Sequence, residues 1–109
     1  MAIKIILYED NFSLRESLSE LLAEQSDFEL LGAYEHCLNI ITQIQSLQPD
    51  IILMDIGLPG MSGIEAAAIA RRLMPAVEIL ILTVFEDDEK VFDALTAGAS
   101  GYLLKKTNP

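Results

Sequence analysis

Residues 51–65 read Ile51-Ile52-Leu53-Met54-Asp55-Ile56-Gly57-Leu58-Pro59-Gly60-Met61-Ser62-Gly63-Ile64-Glu65. Ile51 to Met54 form an apolar run with no polar alternate, the pattern of a strand buried on both faces. Asp55 ends that run, and Gly57, Pro59, Gly60 and Gly63 break the pattern behind it as turn and loop residues. A strand packed on both sides holds its last residue rigidly and leaves the carboxylate at the open end. The segment therefore predicts both a sheet and a place for chemistry.

Three further runs, Ile3 to Tyr8, Phe28 to Tyr34 and Val77 to Val84, have the same character, and a weaker one spans Gly101 to Leu104. The last is entered through Ala97, Gly98, Ala99 and Ser100, small residues that suit a helix end and a tight turn. Between the runs the period shifts from two to about 3.6 residues. Leu14, Leu18, Leu21 and Leu22 share one helical stripe, and Cys37, Ile40, Ile41, Ile44 and Leu47 share another. Ser13 with Glu16 has the spacing of a capping box for the first helix, while Pro49 and Pro75 stop the second and third. Glu86, Asp87, Asp88 and Glu89 favour the start of a fourth helix through its dipole, with Val91, Ala94 and Leu95 as its buried stripe. Strand and helix alternate throughout. This predicts an α/β fold with a doubly wound, five-stranded parallel sheet, because right-handed crossovers lay helices on both faces.

A chain of 109 residues is one domain's worth of sequence, and 51% hydrophobic residues supply it with a core. The formal charge of -10 repels nucleic-acid phosphates and anionic lipid headgroups, so direct contact with DNA or a membrane surface is not expected. Cys37 is the single cysteine, which excludes an internal disulfide or a multi-cysteine metal site and suits a reducing cytoplasm. The first apolar run contains Lys4 and stops at Glu9, too short for a signal peptide or a membrane span. A soluble cytoplasmic domain is expected, with His36 at its surface rather than on a metal.

In an open parallel sheet, ligands bind beyond the carboxyl ends of the strands. The first run ends in Glu9 and Asp10, the third in Asp55 and the fourth at Thr83, while Tyr102 leads to Lys105 in the fifth. Carboxylates gathered at one edge repel one another unless a cation or a proton compensates them. Mg2+ suits such a set, since it takes oxygen ligands, keeps several waters and leaves positions for phosphate oxygens. Glu9, Asp10 and Asp55 are its expected ligands. A carboxylate beside a bound cation can also attack an in-line phosphoryl donor. Asp55 is the expected phosphoacceptor, with Lys105 holding phosphoryl oxygens by charge and Thr83 by a hydroxyl hydrogen bond.

Glu9 with Asp10, the stretch MDIGLPGMSGIE around Asp55, Thr83 closing its strand and the stretch AGASGYLLKK together resemble a two-component receiver domain over essentially the whole chain. The resemblance implies a flavodoxin-like receiver fold with strand order 2-1-3-4-5. It implies that Asp55 takes phosphate from a histidine kinase, and that the backbone carbonyl of Gly57 joins Glu9, Asp10 and Asp55 on Mg2+. It also implies that Thr83 and Tyr102 form a switch pair, the hydroxyl moving toward the phosphoryl group and the ring turning inward, with the output face near the fourth helix and fifth strand. The string GASGYLLKK most resembles receivers that precede LuxR-type helix-turn-helix output domains, so transcription regulation through such a domain is expected. Two residues depart from the commonest pattern: Glu9 stands where aspartate is frequent, and Lys106 follows Lys105 where many receivers have proline. Neither removes a needed chemical group. The chain stops at Pro109, so residues 1–109 are expected to be a receiver truncated before the family's fifth helix and its output domain. Sheet left bare by that helix would favour a homodimer.

Taken singly, each of these residues has a plain structural role: a loop cap for Asp55, solvated acids for Glu9 and Asp10, a core aromatic for Tyr102. Their joint placement at one edge of the sheet is what carries function. Gly57, Gly60 and Gly63 match no phosphate-cradling fingerprint and are expected to serve the loop. A haloacid-dehalogenase-like phosphatase also uses a strand-end aspartate and Mg2+, but it needs a second aspartate where this chain has Gly57. A receiver-like interaction domain that is never phosphorylated is the remaining alternative. The domain is thus expected to be a phosphoacceptor switch that assists its own phosphorylation and dephosphorylation, not an enzyme.

Overall fold

All five apolar runs become strands. In the computed structural model, which describes residues 2–83 and 88–104, these are β1 (Ile3–Tyr8), β2 (Phe28–Tyr34), β3 (Ile51–Asp55), β4 (Glu78–Thr83) and β5 (Gly101–Leu104). They pair in parallel in the order β2-β1-β3-β4-β5, as expected. The connections are the helices α1 (Phe12–Ala23), α2 (Ile40–Leu47), α3 (Gly63–Leu73) and α4 (Asp88–Ala97). Strand order reverses between β1 and β3, so the carboxyl ends of those two strands flank the crevice where an open α/β sheet binds ligands. β3 takes in Asp55 itself, and β4 begins after Val77. Val84, Glu86, Asp87, Lys105, Lys106 and Pro109 lie outside the described residues.

Alternation along the strands divides the core in two. Ile6, Tyr8, Ile52, Met54, Ile79 and Ile81 point to one face and pack with Ile40 and Ile44 of α2, Ala66, Ala67 and Ala70 of α3, and Ala94 of α4. Ile5 and Leu7 point to the other face and are also buried, on the side that α1 covers. The expected helical stripes are only partly realised. Ile41, Leu21 and Leu95 are exposed, and Cys37 is buried in the turn before α2 rather than on the helix. On a short helix only the positions that look straight at the sheet are sealed, and flanking members of a wide apolar stripe stay wet.

The expected capping box at Ser13 and Glu16 does not form. Asn11 is the N-cap of α1, and its side-chain oxygen accepts from the Leu14 amide at 2.9 Å. The chain must turn at once after Glu9 to begin a helix beside the strand end, so the cap falls two residues earlier. The same Ser-x-x-Glu spacing does work at α3, where Ser62 is the N-cap and its hydroxyl accepts from the Glu65 amide at 3.1 Å. At the opposite end of the sheet, Arg71 ties α3 to the turn before β5. Its guanidinium donates to the carbonyls of Gly98 at 3.0 and 2.7 Å, Pro75 at 2.7 Å and Val77 at 2.6 Å.

Candidate functional site

The site begins with two strand ends. β1 stops at Tyr8, and the Glu9 amide donates to the Tyr34 carbonyl at 2.9 Å, which extends the pairing with β2 by one residue. β3 runs one residue further and ends in Asp55, whose cross-strand partner on β4 is Leu82. The two carboxylates are therefore delivered to the same rim by neighbouring strands. Glu9, Asp10 and Asp55 each place a carboxylate oxygen so that the three lie within 4.8 Å of one another. Glu9 is 1% and Asp55 7% exposed, the two buried charged side chains among the described residues, whereas Asp10 faces solvent.

Backbone donors hold this acid group in place. One Glu9 carboxylate oxygen accepts from the Asn11 amide at 3.0 Å, and one Asp55 oxygen accepts from the Gly57 amide at 3.3 Å. The loop after β3 thus folds back over Asp55, with the Gly57 amide, rather than the carbonyl expected to face a cation, as the group in contact with its carboxylate. The Arg15 guanidinium donates to the Glu9 carbonyl oxygen at 2.7 Å. When Glu9 and Asp55 are both ionised, their mutual repulsion at this separation is on the order of 3 kcal/mol. A cation offsets that repulsion. All three donors are oxygen, with no histidine or cysteine in the cluster, and such a set fits a hard ion such as Mg2+.

Gly63, the first residue of α3, lies directly beneath the site. A methyl group at Gly63 would overlap the carbonyl oxygen of Asp55, and the Gly63 amide donates to the Ile56 carbonyl at 2.9 Å. Loop mobility is therefore not its purpose. The missing Cβ lets the helix start pack against the backbone of Asp55. Gly60 does need glycine's conformational freedom, at φ 85°.

Thr83 ends β4 one residue beyond the partner of Asp55, which puts it at the same rim of the sheet. It pairs with Leu104, two residues past Tyr102, and Tyr102 pairs with Ile81. Thr83 and Tyr102 thus occupy diagonal positions of adjacent strands. The Tyr102 ring is half-buried and packs against the sealed core. Lys105, expected next to Asp55, lies outside the described residues.

Three contributors escaped the sequence reading: Asn11 as cap, Arg15 as donor to Glu9, and Gly63 as a packing position. The Asn11 signal was present, since asparagine is a preferred N-cap, but the Ser13 pattern masked it. Beside the acid group, Arg15, Ala33, Tyr34, Glu35, His36, Asn39 and Gln43 line an open cleft of about 370 Å³. His36 accepts from the Leu38 amide at 3.2 Å and is no member of the acid cluster. No helix among the described residues is long and apolar enough to cross a membrane.

Comparison with known proteins matches residues 5–109 to the response regulator receiver domain. The response regulator protein VraR of Staphylococcus aureus is 36% identical over 108 residues, spanning 99% of this chain and 52% of that protein. The chain is thus about half the length of the curated relatives it matches. A LuxR-family two-component response regulator from Aurantimonas sp. SI85-9A1 has a TM-score of 0.90 at 30% identity, covering 100% of this chain and 78% of that one. A DNA-binding response regulator of the LuxR family from Staphylococcus aureus has a TM-score of 0.88 at 27% identity, covering 97% of this chain and 88% of its own.

Proposed function

The chain belongs to the response regulator receiver domain family, and on that premise we propose that Asp55 accepts a phosphoryl group from a histidine kinase. Phosphorylation-dependent switching is the function of this family. The observation that carries the assignment is the convergence of Glu9, Asp10 and Asp55 within 4.8 Å at the ends of adjacent strands. Of the three, Asp55 is the one that ends a strand of the sheet, buried with its carboxylate at the rim, and it is the nucleophile of this reading. A carboxylate oxygen of Asp55 attacks phosphorus in line, and the bond to the donor nitrogen breaks with its electron pair returning to the imidazole.

Glu9, Asp10, Asp55 and the carbonyl of Gly57 would hold Mg2+. When bound, that ion supplies positive charge against the crowded carboxylates and the incoming phosphoryl oxygens. Glu9 contributes without moving, because its backbone and side chain are already committed to Tyr34 and Asn11. Thr83 offers a hydroxyl and Lys105 an ammonium to the phosphoryl oxygens. Thr83 and Tyr102 then form the switch, in which movement at Thr83 is relayed across the adjacent strand to the ring at Tyr102. The domain assists its own phosphorylation and dephosphorylation and has no separate substrate to turn over.

Residues 1–109 act as the receiver unit of a cytoplasmic transcription regulator. Output runs through a DNA-binding unit, as the LuxR-family likeness supports, because a chain with a formal charge of -10 repels nucleic-acid phosphates. Apolar residues left open on β5 and α4 support assembly as a homodimer. The test is to incubate the domain with a small-molecule phosphodonor and Mg2+ and follow its intact mass. The native chain should gain one phosphoryl group and Asp55→Asn should gain none. No gain in the native chain would instead favour a receiver-like interaction domain that is never phosphorylated.

A further inference from the structure

Residues 9–11 carry two of the three carboxylates, and their backbone is clamped from two sides. From the sheet, the Tyr34 carbonyl accepts from the Glu9 amide at 2.9 Å. From the helix, Arg15 acts twice: its own amide donates to the Asn11 carbonyl at 2.9 Å, and its guanidinium donates to the Glu9 carbonyl at 2.7 Å. The peptide between Glu9 and Asp10 is thereby fixed, and with it the direction in which Asp10 leaves the chain. Phe12, 66% exposed, lies with its ring centroid 5.5 Å from the Arg15 guanidinium carbon. A bare phenylalanine in the first turn of a helix buries little of itself, but a ring face at this distance from a guanidinium attracts the cation and restrains its side chain.

We propose that Arg15, restrained by Phe12, is a positioning residue that holds the Glu9–Asp10 segment in cation-binding geometry. This rests on the Mg2+ reading given above. It differs in kind from a role as counter-charge, and the two make opposite predictions. A positive charge near three carboxylates competes with an incoming cation, so if charge were its main effect, removing it would tighten Mg2+ binding. If the tether matters, removing it frees the loop and weakens binding. Partners that orient metal ligands from behind are worth roughly tenfold or more in affinity.

The experiment is isothermal titration of Mg2+ into the native chain, Arg15→Met, Arg15→Lys and Phe12→Ala, with amide hydrogen exchange of residues 9–11 measured on each without metal. Arg15→Met keeps an unbranched apolar stem but neither charge nor donor, and should weaken Mg2+ binding about tenfold and speed loop exchange. Arg15→Lys keeps a donor and should recover most of both. Phe12→Ala should weaken binding about two- to fivefold, and it decides the matter should Arg15→Met fail to fold. Unchanged or tighter binding in Arg15→Met with unchanged exchange overturns the tether alone. A native chain that takes up no Mg2+ overturns the metal reading of the site and this proposal with it.

Discussion

β4 carries one unbroken apolar run, yet its two faces live in different surroundings. Ile79 and Ile81 are fully buried, while Leu80 and Leu82 between and beyond them are half-buried. β3 repeats the split, with Ile52 and Met54 sealed and Ile51 and Leu53 half-buried. On the first face three helices close over the sheet, and α3 does so with Ala66, Ala67 and Ala70, residues small enough for helix and strands to approach closely. On the second face α1 rests against β2 and β1 and buries no residue of its own completely. A continuous apolar run announces that a strand is shielded from water. It does not say how well each side is covered, because that depends on which helices the topology sends to which face.

The largest effect that would sharpen this contrast comes from paired truncations on the one strand. Ile81→Ala opens a cavity in a face with no slack and should cost about 2–5 kcal/mol of unfolding free energy in a urea titration. Leu82→Ala removes a side chain already half wet, and about 1–2 kcal/mol is expected. Equal losses at the two positions would mean that the second face is as well packed as the first, and the contrast would be gone.

Legibility follows the same division. The five strands and the acid cluster were readable because they depend on long apolar runs and on which residue ends each strand, whereas the strand order came only with the resemblance to receivers. Asp55 was identifiable from the four residues before it. What escaped were features set by closeness rather than by pattern. Ser13–Glu16 and Ser62–Glu65 have the same spacing, and only the second caps a helix, because the position of a cap depends on where the strand releases the chain. Arg71 reads as an ordinary basic residue near a helix end, yet it gathers carbonyls from three separate residues. Gly63 reads as loop and is packing. None of these has a sequence period to announce it.

A second, smaller effect probes the sealed side. Cys37 is fully buried, donates its thiol to the Met61 carbonyl at 3.3 Å, and sits in the core beside Ile40. Burial pushes the Cys37 thiol from its ordinary 9.0 up to about 11, because the thiolate would lose its water. The native thiolate fraction at pH 8 then falls roughly a hundredfold below that of the unfolded chain. Iodoacetamide should therefore modify Cys37 slowly in buffer and fast in urea. The sign for stability follows from the raised value: the neutral thiol is favoured by the fold, so the contribution is whole below pH 9.0 and is lost as pH rises through about 11. Rapid native alkylation at pH 8 would show that this face opens.

The smallest effect is expected on the open side, at Leu103. It is 52% exposed, it lies on β5 at the edge of the sheet, and its cross-strand neighbour is Leu82, itself only half-buried. Lysine there keeps most of the aliphatic stem against Leu82 and puts its charge in water. Leu103→Lys should thus change unfolding free energy by no more than about 0.5 kcal/mol, the range of ordinary surface substitutions. A loss of more than about 1 kcal/mol in dilute protein would mean that Leu103 is packed within its own chain. If the loss appears only at high protein concentration, together with a lower sedimenting mass than the native chain, the cover is a second copy. An unchanged midpoint at every concentration would leave the two faces as unequal as their burial describes them.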